Sequence, residues 1–245
     1  MNDPSRYALY YAPRPVDALA VTAAQWLGRD PETGQARAVR PVPGIAADRL
    51  AEITAEPRLY GFHGTLKAPI VLADDVSERD FLDAVGRFAA AGHAFSVPSL
   101  ELAELSGFLA LVPSTPCEPL HDLADRCVVE FDEYRRPADK TELARRRASG
   151  LTPRQDELLL RWGYPYVLEQ WRFHLTLTGR LPQAPEREAI ATVLRQRFAG
   201  FIDRSLMIAD LCVFRQSAPG RPFLVQARFR LGGGQRVSVE AWRAA

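Results

Sequence analysis

Hydrophobic and polar positions follow two periods along the chain. Residues 7–13 (YALYYAP) predict a short aromatic-rich strand, 17–27 a helix, 30–42 a loop rich in Pro, Gly and Arg, and 46–55 a second short helix. Two later stretches, 58–72 and 171–181, alternate with a period of two and read as strands. The first is followed by a helix over 77–91, with Ser77 as N-cap and Asp80 in its first turn. A hairpin of 94–105 with 108–112 across Ser106-Gly107 comes next. The second is followed by a helix over 186–198, with the stripe Ile190, Val193, Leu194 and Phe198, and by a hairpin of 206–214 with 222–231. A last strand is expected over about 237–242. In between, Thr115-Pro116-Cys117-Glu118 starts a helix that reaches about 134, with Pro at its first position, and Thr152-Pro153-Arg154-Gln155 starts another toward 162. The basic, polar stretch 135–150 reads as a helical insert or a lid.

Strand, helix and hairpin therefore occur twice, and the two strands carry histidines 111 residues apart. The pattern predicts an α+β fold: a bilobed, duplicated unit of two mainly antiparallel sheets flanked by helices, with a cleft between them. One bilobed domain is expected over 1–245, with halves of about 1–114 and 115–245 and a helical insert over 135–170.

The two strands read Phe62-His63-Gly64-Thr65-Leu66-Lys67 and Phe173-His174-Leu175-Thr176-Leu177-Thr178, sharing Phe-His-x-Thr-Leu. Residues two apart point the same way, so His63, Thr65 and Lys67 share one face, and Arg172, His174, Thr176 and Thr178 another. Two imidazoles and two hydroxyls are then expected to converge. One neutral imidazole can take a proton from an attacking oxygen while a protonated one gives a proton to the leaving oxygen. The hydroxyls can donate to non-bridging phosphate oxygens. His63, Thr65, His174 and Thr176 are the catalytic candidates, and the expectation is a metal-independent phosphodiesterase with a bell-shaped pH profile near neutrality. Which histidine is acid and which is base stays open. So does the plainer reading, in which each His-x-Thr is only a hydrogen-bonded part of a strand.

Paired His-x-Thr-hydrophobic motifs half a chain apart resemble the two-histidine (2H) phosphoesterase superfamily, which includes RNA 2′,3′-cyclic phosphodiesterases and enzymes called 2′-5′ RNA ligases. The resemblance implies a bilobed duplication with the active site between lobes and no metal. Tyr7–Pro13, Trp26-Leu27-Gly28-Arg29-Asp30, Tyr60 to Lys67, Trp162-Gly163-Tyr164-Pro165-Tyr166-Val167 and Arg172-Phe173-His174 resemble a branch of unknown function encoded with phosphonate-utilisation genes. That branch usually has Ala at Gly64 and Pro at Ala68. The resemblance implies a small cyclic phosphodiester or sugar-phosphate substrate, with RNA ends as an alternative. A non-catalytic phosphate- or RNA-binding module is the reading of another class.

Composition narrows this further. A formal net charge of +1 argues against holding long nucleic acid mainly by phosphate neutralisation. Three cysteines without a CxxC pair, no leader-like N-terminus and no long apolar run predict a cytoplasmic chain outside the membrane. No cofactor is expected, and His121 with Asp122 and Asp125 lacks a metal-ligand spacing. The oligomeric state is hidden. Lys67 and Arg172 are candidates to hold an anionic substrate, against a reading as solvated cations. Tyr164 and Tyr166 are candidates to stack on a base or sugar, against ordinary packing. Arg145-Arg146-Arg147 reads as a solvated helix face, with a lid as the alternative.

Overall fold

The computed structural model describes residues 5–233 and 236–237. The expected strand over 237–242 lies, beyond Val237, outside the described residues. Strand β1 (Arg6–Tyr11) leads to α1 (Ala18–Leu27), then to two short helices, α2 (Ala47–Ile53) and α3 (Ala55–Tyr60), and into β2 (Gly64–Ile70). Helix α4 (Glu78–Ala91) starts as its sequence predicts, with the Ser77 side chain accepting from the Asp80 amide. Next come β3 (Phe95–Val97) and the hairpin β4 (Leu100–Leu105) and β5 (Phe108–Pro113). Its turn, Ser106-Gly107, has positive φ at both positions, the form that matches strand twist in two-residue hairpins.

Helix α5 (Glu118–Glu130) begins later than expected, with Cys117 at the N-cap and Pro119 inside the first turn, and ends before Phe131. Helices α6 (Lys140–Arg147) and α7 (Pro153–Trp162) follow, the latter opened by the Thr152/Gln155 capping box. A 3-10 turn at Leu168–Gln170 leads to β6 (Leu175–Thr176), α8 (Ala184–Arg197), β7 (Leu206–Ile208), β8 (Asp210–Gln216), β9 (Phe223–Arg230) and β10 (Arg236–Val237).

The fold is α+β with two antiparallel sheets. Among the described residues, eight strands form one in the order β10-β9-β8-β1-β2-β6-β5-β4, and β3 and β7 form a small ribbon. The sequence pattern suggests a cleft between facing sheets; here the two motif strands are bonded to each other, at Gly64↔Leu175, within the large sheet. Outside this pair, the hairpin of the first half lies beyond β6, and that of the second half beyond β2 and β1.

The two faces of the sheet differ. Tyr7, Leu9 and Tyr11 of β1 join Phe62, Leu66, Phe173, Leu175 and Leu177 in the main core, with Trp26, Phe81, Leu120 and Leu194 from the helices. The alternate residues Ala8, Tyr10 and Ala12 pack with Cys212, Phe214 and Phe223 in a smaller cluster on the other side. That cluster forms the floor under His63. Among the described residues no helix is long and apolar enough to cross a membrane.

Candidate functional site

The approach to His63 is set by its backbone. Helix α3 ends at Gly61, whose φ of +79° is a conformation that side-chain-bearing residues rarely adopt. A Cβ there would lie 2.8 Å from the Pro31 side chain. The Gly61 carbonyl oxygen stands 2.9 Å from His63 Nδ1. A carbonyl only accepts, so Nδ1 carries the proton and Nε2 keeps its lone pair. Thr65 Oγ1, 3.1 Å from Nε2, donates to it. The imidazole stacks on Tyr10 with ring centroids 3.7 Å apart and 17° between planes. Burial lowers the His63 pKa to about 4, helped by the nearby His174 and Arg29 and opposed by the Gly61 bond, so the ring is neutral at pH 7.

His174 is held the same way, with Nδ1 2.8 Å from the Arg172 carbonyl. Its ring neighbour is Phe108, at 5.6 Å between centroids. Burial lowers its pKa as well, opposed by the Arg172 bond. Both rings therefore favour the neutral form at pH 7.

Other bonds fix the two motif stretches, one to the other and to α1. The Trp171 indole donates to the Thr65 carbonyl at 2.9 Å, and the buried Trp26 indole to the Leu177 carbonyl at 2.7 Å. Gly64 sits where the strands touch, and a Cβ there would lie 2.2 Å from the Phe173 ring.

His63, Thr65, His174 and Thr176 line one cleft of about 470 Å³, with Tyr10, Tyr60, Phe108 and Tyr164 and the cations Arg6, Arg145, Arg146 and Arg180. Thr178 also lines it, but its Oγ1 is committed to the Leu109 amide at 3.0 Å. Of the four substrate-binding candidates, only Tyr164 is in this cleft. Lys67 is buried, and its Nζ donates to the Val128 carbonyl of α5 at 2.9 Å. The pairing of β1 with β2 slips on both sides of Leu9, which is opposite Lys67, and such irregularities turn side chains out of simple alternation. Arg172 lines a separate depression with Cys117, His121 and Trp171. Regular pairing begins only at Leu175, so the alternation that would place Arg172 beside His174 does not extend back to it. Tyr166 is exposed and meets the cleft only through an edge contact with Tyr164.

The arginine run, which reads in sequence as a solvated face, divides. Arg147 pairs with Asp156 at 2.6 Å, whereas Arg145 and Arg146 line the cleft, with Arg146 lying 5.0 Å over the Tyr164 ring. Sequence reasoning misses Tyr10, although its place among the alternate residues of YALYYAP marks the face it occupies. It also misses Arg29. This buried guanidinium donates to the carbonyls of Arg58 at 2.7 Å and Leu59 at 3.2 Å, holding the end of α3 just before Gly61. Its Nη1 has no partner among the described residues, and burial lowers its pKa to about 10. Among the described residues no group of three or more His, Cys, Asp or Glu side chains is placed to hold a metal ion.

Comparison with known proteins adds three findings. Solved structures similar to this chain include E. coli LigT in apo form, with a TM-score of 0.41, 15% identity and coverage of 94% of this chain and 99% of that one. A structure described as a phosphoesterase has a TM-score of 0.38, 16% identity and the same coverage. Two curated relatives are called ribose 1,5-bisphosphate phosphokinase PhnN. The one from Janthinobacterium sp. (strain Marseille) is 39% identical over 240 residues, covering 96% of this chain and 53% of the relative. The one from Laribacter hongkongensis (strain HLHK9) is 36% identical over 220 residues, covering 89% and 50%. The chain thus spans about half the length of the curated relatives it matches. Both are named for phosphoryl transfer, and that finding overturns the expectation of a cyclic phosphodiesterase of the hydrolase class. Residues 65–224 match the family described as protein of unknown function (DUF1045), and the chain belongs to that family.

Proposed function

We propose that this chain works on the sugar side of a phosphoryl transfer: it binds a ribose phosphate between His63 and His174 and activates a sugar hydroxyl as phosphoryl acceptor. The observation that carries this reading is the convergence of two imidazoles and two threonine hydroxyls with Arg6, Arg145, Arg146 and Arg180 in one cleft. The name of the curated relatives supplies the substrate class.

In this reading the neutral Nε2 of His63 is the base. The incoming hydroxyl displaces Thr65 from Nε2 and gives up its proton there as its oxygen bonds to phosphorus. The bond between phosphorus and the bridging oxygen of the donor anhydride breaks, and the leaving diphosphate departs as an anion. Thr65, freed from the imidazole, and Thr176 donate to the non-bridging oxygens. A phosphoryl dianion raises the pKa of a neighbouring imidazole, so substrate turns His174 into the cation that faces those oxygens. The arginines hold the remaining charge, a role suited to the guanidinium fork.

The test is titration of the nitrogen-15-labelled protein with ribose 1,5-bisphosphate, followed by addition of magnesium ATP under phosphorus-31 NMR. Both imidazole signals are expected to move on sugar addition, and the ATP γ-phosphoryl signal to pass to a sugar ester. Imidazoles that do not respond to the sugar, or transfer that survives His63→Ala, would overturn the reading.

A further inference from the structure

The histidine cleft does not end at Tyr164. A larger cavity of about 710 Å³ lies beside it, bounded by residues 67–71, by Val128, by Arg135 to Asp139, by Thr141, Glu142 and Arg145 of α6, and by residues 162–164. Cleft and cavity share Arg6, Ala68, Pro69, Arg145 and Tyr164 as walls, so one ligand can reach both. Alanine at position 68 keeps this shared wall low, a small buried side chain between the two spaces.

The charges in the cavity wall are unequal. Arg6, Lys67, Arg135, Arg136 and Arg145 stand against Asp139 and Glu142. Both carboxylates are already engaged: Asp139 caps α6 through the Glu142 amide at 2.8 Å, and Glu142 accepts from Arg146 at 2.9 Å. Arg135 is held by Asp132 at 2.9 Å. Arg136 and Arg145 have only loose ion pairs, at 4.0 Å to Asp74 and 3.9 Å to Glu142. Lys67 is the costly member. It is 4% exposed, its amine bonds to a carbonyl rather than a carboxylate, and burial lowers its pKa to about 8. An anion in the cavity would compensate that buried amine and give the two loosely paired arginines a partner.

We propose that this cavity is a second anion subsite, which takes a distal phosphate while the reacting end of the same ligand lies between His63 and His174. The ligand class that follows is an elongated bis-anion, a sugar bisphosphate in preference to a monophosphate. The inference rests on the ribose-phosphate reading of the histidine cleft and adds the element that selects among ribose phosphates. It also accounts for α6, a helix that buries no residue of its own and whose Thr141, Glu142 and Arg145 wall the subsite.

Calorimetric titration of the whole chain with ribose 1,5-bisphosphate and with ribose 5-phosphate, in one buffer, tests it. The bisphosphate is expected to bind about tenfold more tightly or better, the scale of one or two charge-assisted contacts. Arg136→Ala removes a loosely paired cation, and Thr141→Trp fills the cavity without changing charge. Each is expected to erase most of the preference while leaving ribose 5-phosphate affinity within about twofold, which also reports that the variant is folded. Equal affinities in the unchanged protein, or a preference that survives both variants, would overturn the subsite and leave the histidine reading standing. If neither sugar phosphate binds, the histidine reading falls and the subsite with it.

Discussion

The two His-x-Thr motifs are nearly the same in sequence and unequal in surroundings. His63 immediately precedes a seven-residue strand, stacks on buried Tyr10 and has its free nitrogen engaged by its own threonine. His174 precedes a strand of two residues and meets Phe108 at a tilt. Both carry the proton on Nδ1 because a carbonyl two residues upstream accepts it. What differs is the packing beyond the motif, and it lowers the pKa of one ring to about 4. A repeated motif can therefore place two imidazoles in different surroundings, one stacked and engaged by its own threonine and one only tilted against a phenylalanine, without any change in the repeated residues.

The strongest way to break this comparison is to remove each imidazole. His63→Ala should lower kcat for phosphoryl transfer by about a hundredfold or more, the usual worth of a general base, and His174→Ala by clearly less. Steady-state rates with ribose 1,5-bisphosphate and magnesium ATP decide it, and equal losses would restore the symmetry suggested by the sequence.

The next effect is on folding. Gly64→Ala should cost about 1–3 kcal/mol in urea unfolding, because its Cβ would overlap the Phe173 ring at the contact of the two strands. Adding Phe173→Leu to that variant should recover part of the loss. A neutral Gly64→Ala would mean that Phe173 yields freely.

The pH response should separate the two rings. In NMR titrations His63 is expected to take its proton at about 4, and His174 separately, also below its ordinary value. The sign for stability follows. The unfolded chain binds a proton at the ordinary histidine pKa of about 6.5 and the folded one only at about 4, so stability present above pH 6.5 is lost as pH falls through that window. His63→Phe should flatten the loss between those pH values; an unchanged slope would show that His63 is not its source.

The smallest effect tests the hold on Gly61. Arg29→Lys keeps the charge and removes the fork to the Arg58 and Leu59 carbonyls, and should lower kcat by roughly two- to tenfold. The His63 proton signal on Nδ1 should broaden with it. An unchanged signal would make Arg29 a plain packing residue.

Much of this is legible in the chain. Ser77, Thr152 and Ser106-Gly107 act locally, so their neighbours in sequence are their partners in space, and the elements they start or turn are where the pattern predicts. The Phe-His-x-Thr-Leu repeat is legible because alternation in a strand decides which residues share a face. The errors have long-range causes. Lys67 is drawn into the protein by a carbonyl 61 positions away, opposite a slip in strand pairing that no local rule announces. Arg172 fails because residues 171–174 run beside β2 without yet pairing as a strand. Tyr10 and Arg29 stay hidden because each acts on His63 from a distant part of the chain, Tyr10 from β1 and Arg29 from the loop after α1, and only the folded chain brings them together.

The carbonyl that aims each imidazole lies two residues upstream in the same stretch of chain. The sighting device and the reagent are thus inherited as one short piece. A copying event that duplicated such a piece would deliver a second histidine already pointed, with its hydroxyl beside it. Later change could then retune that copy through its neighbours, a tyrosine here or a phenylalanine there, without disturbing its aim.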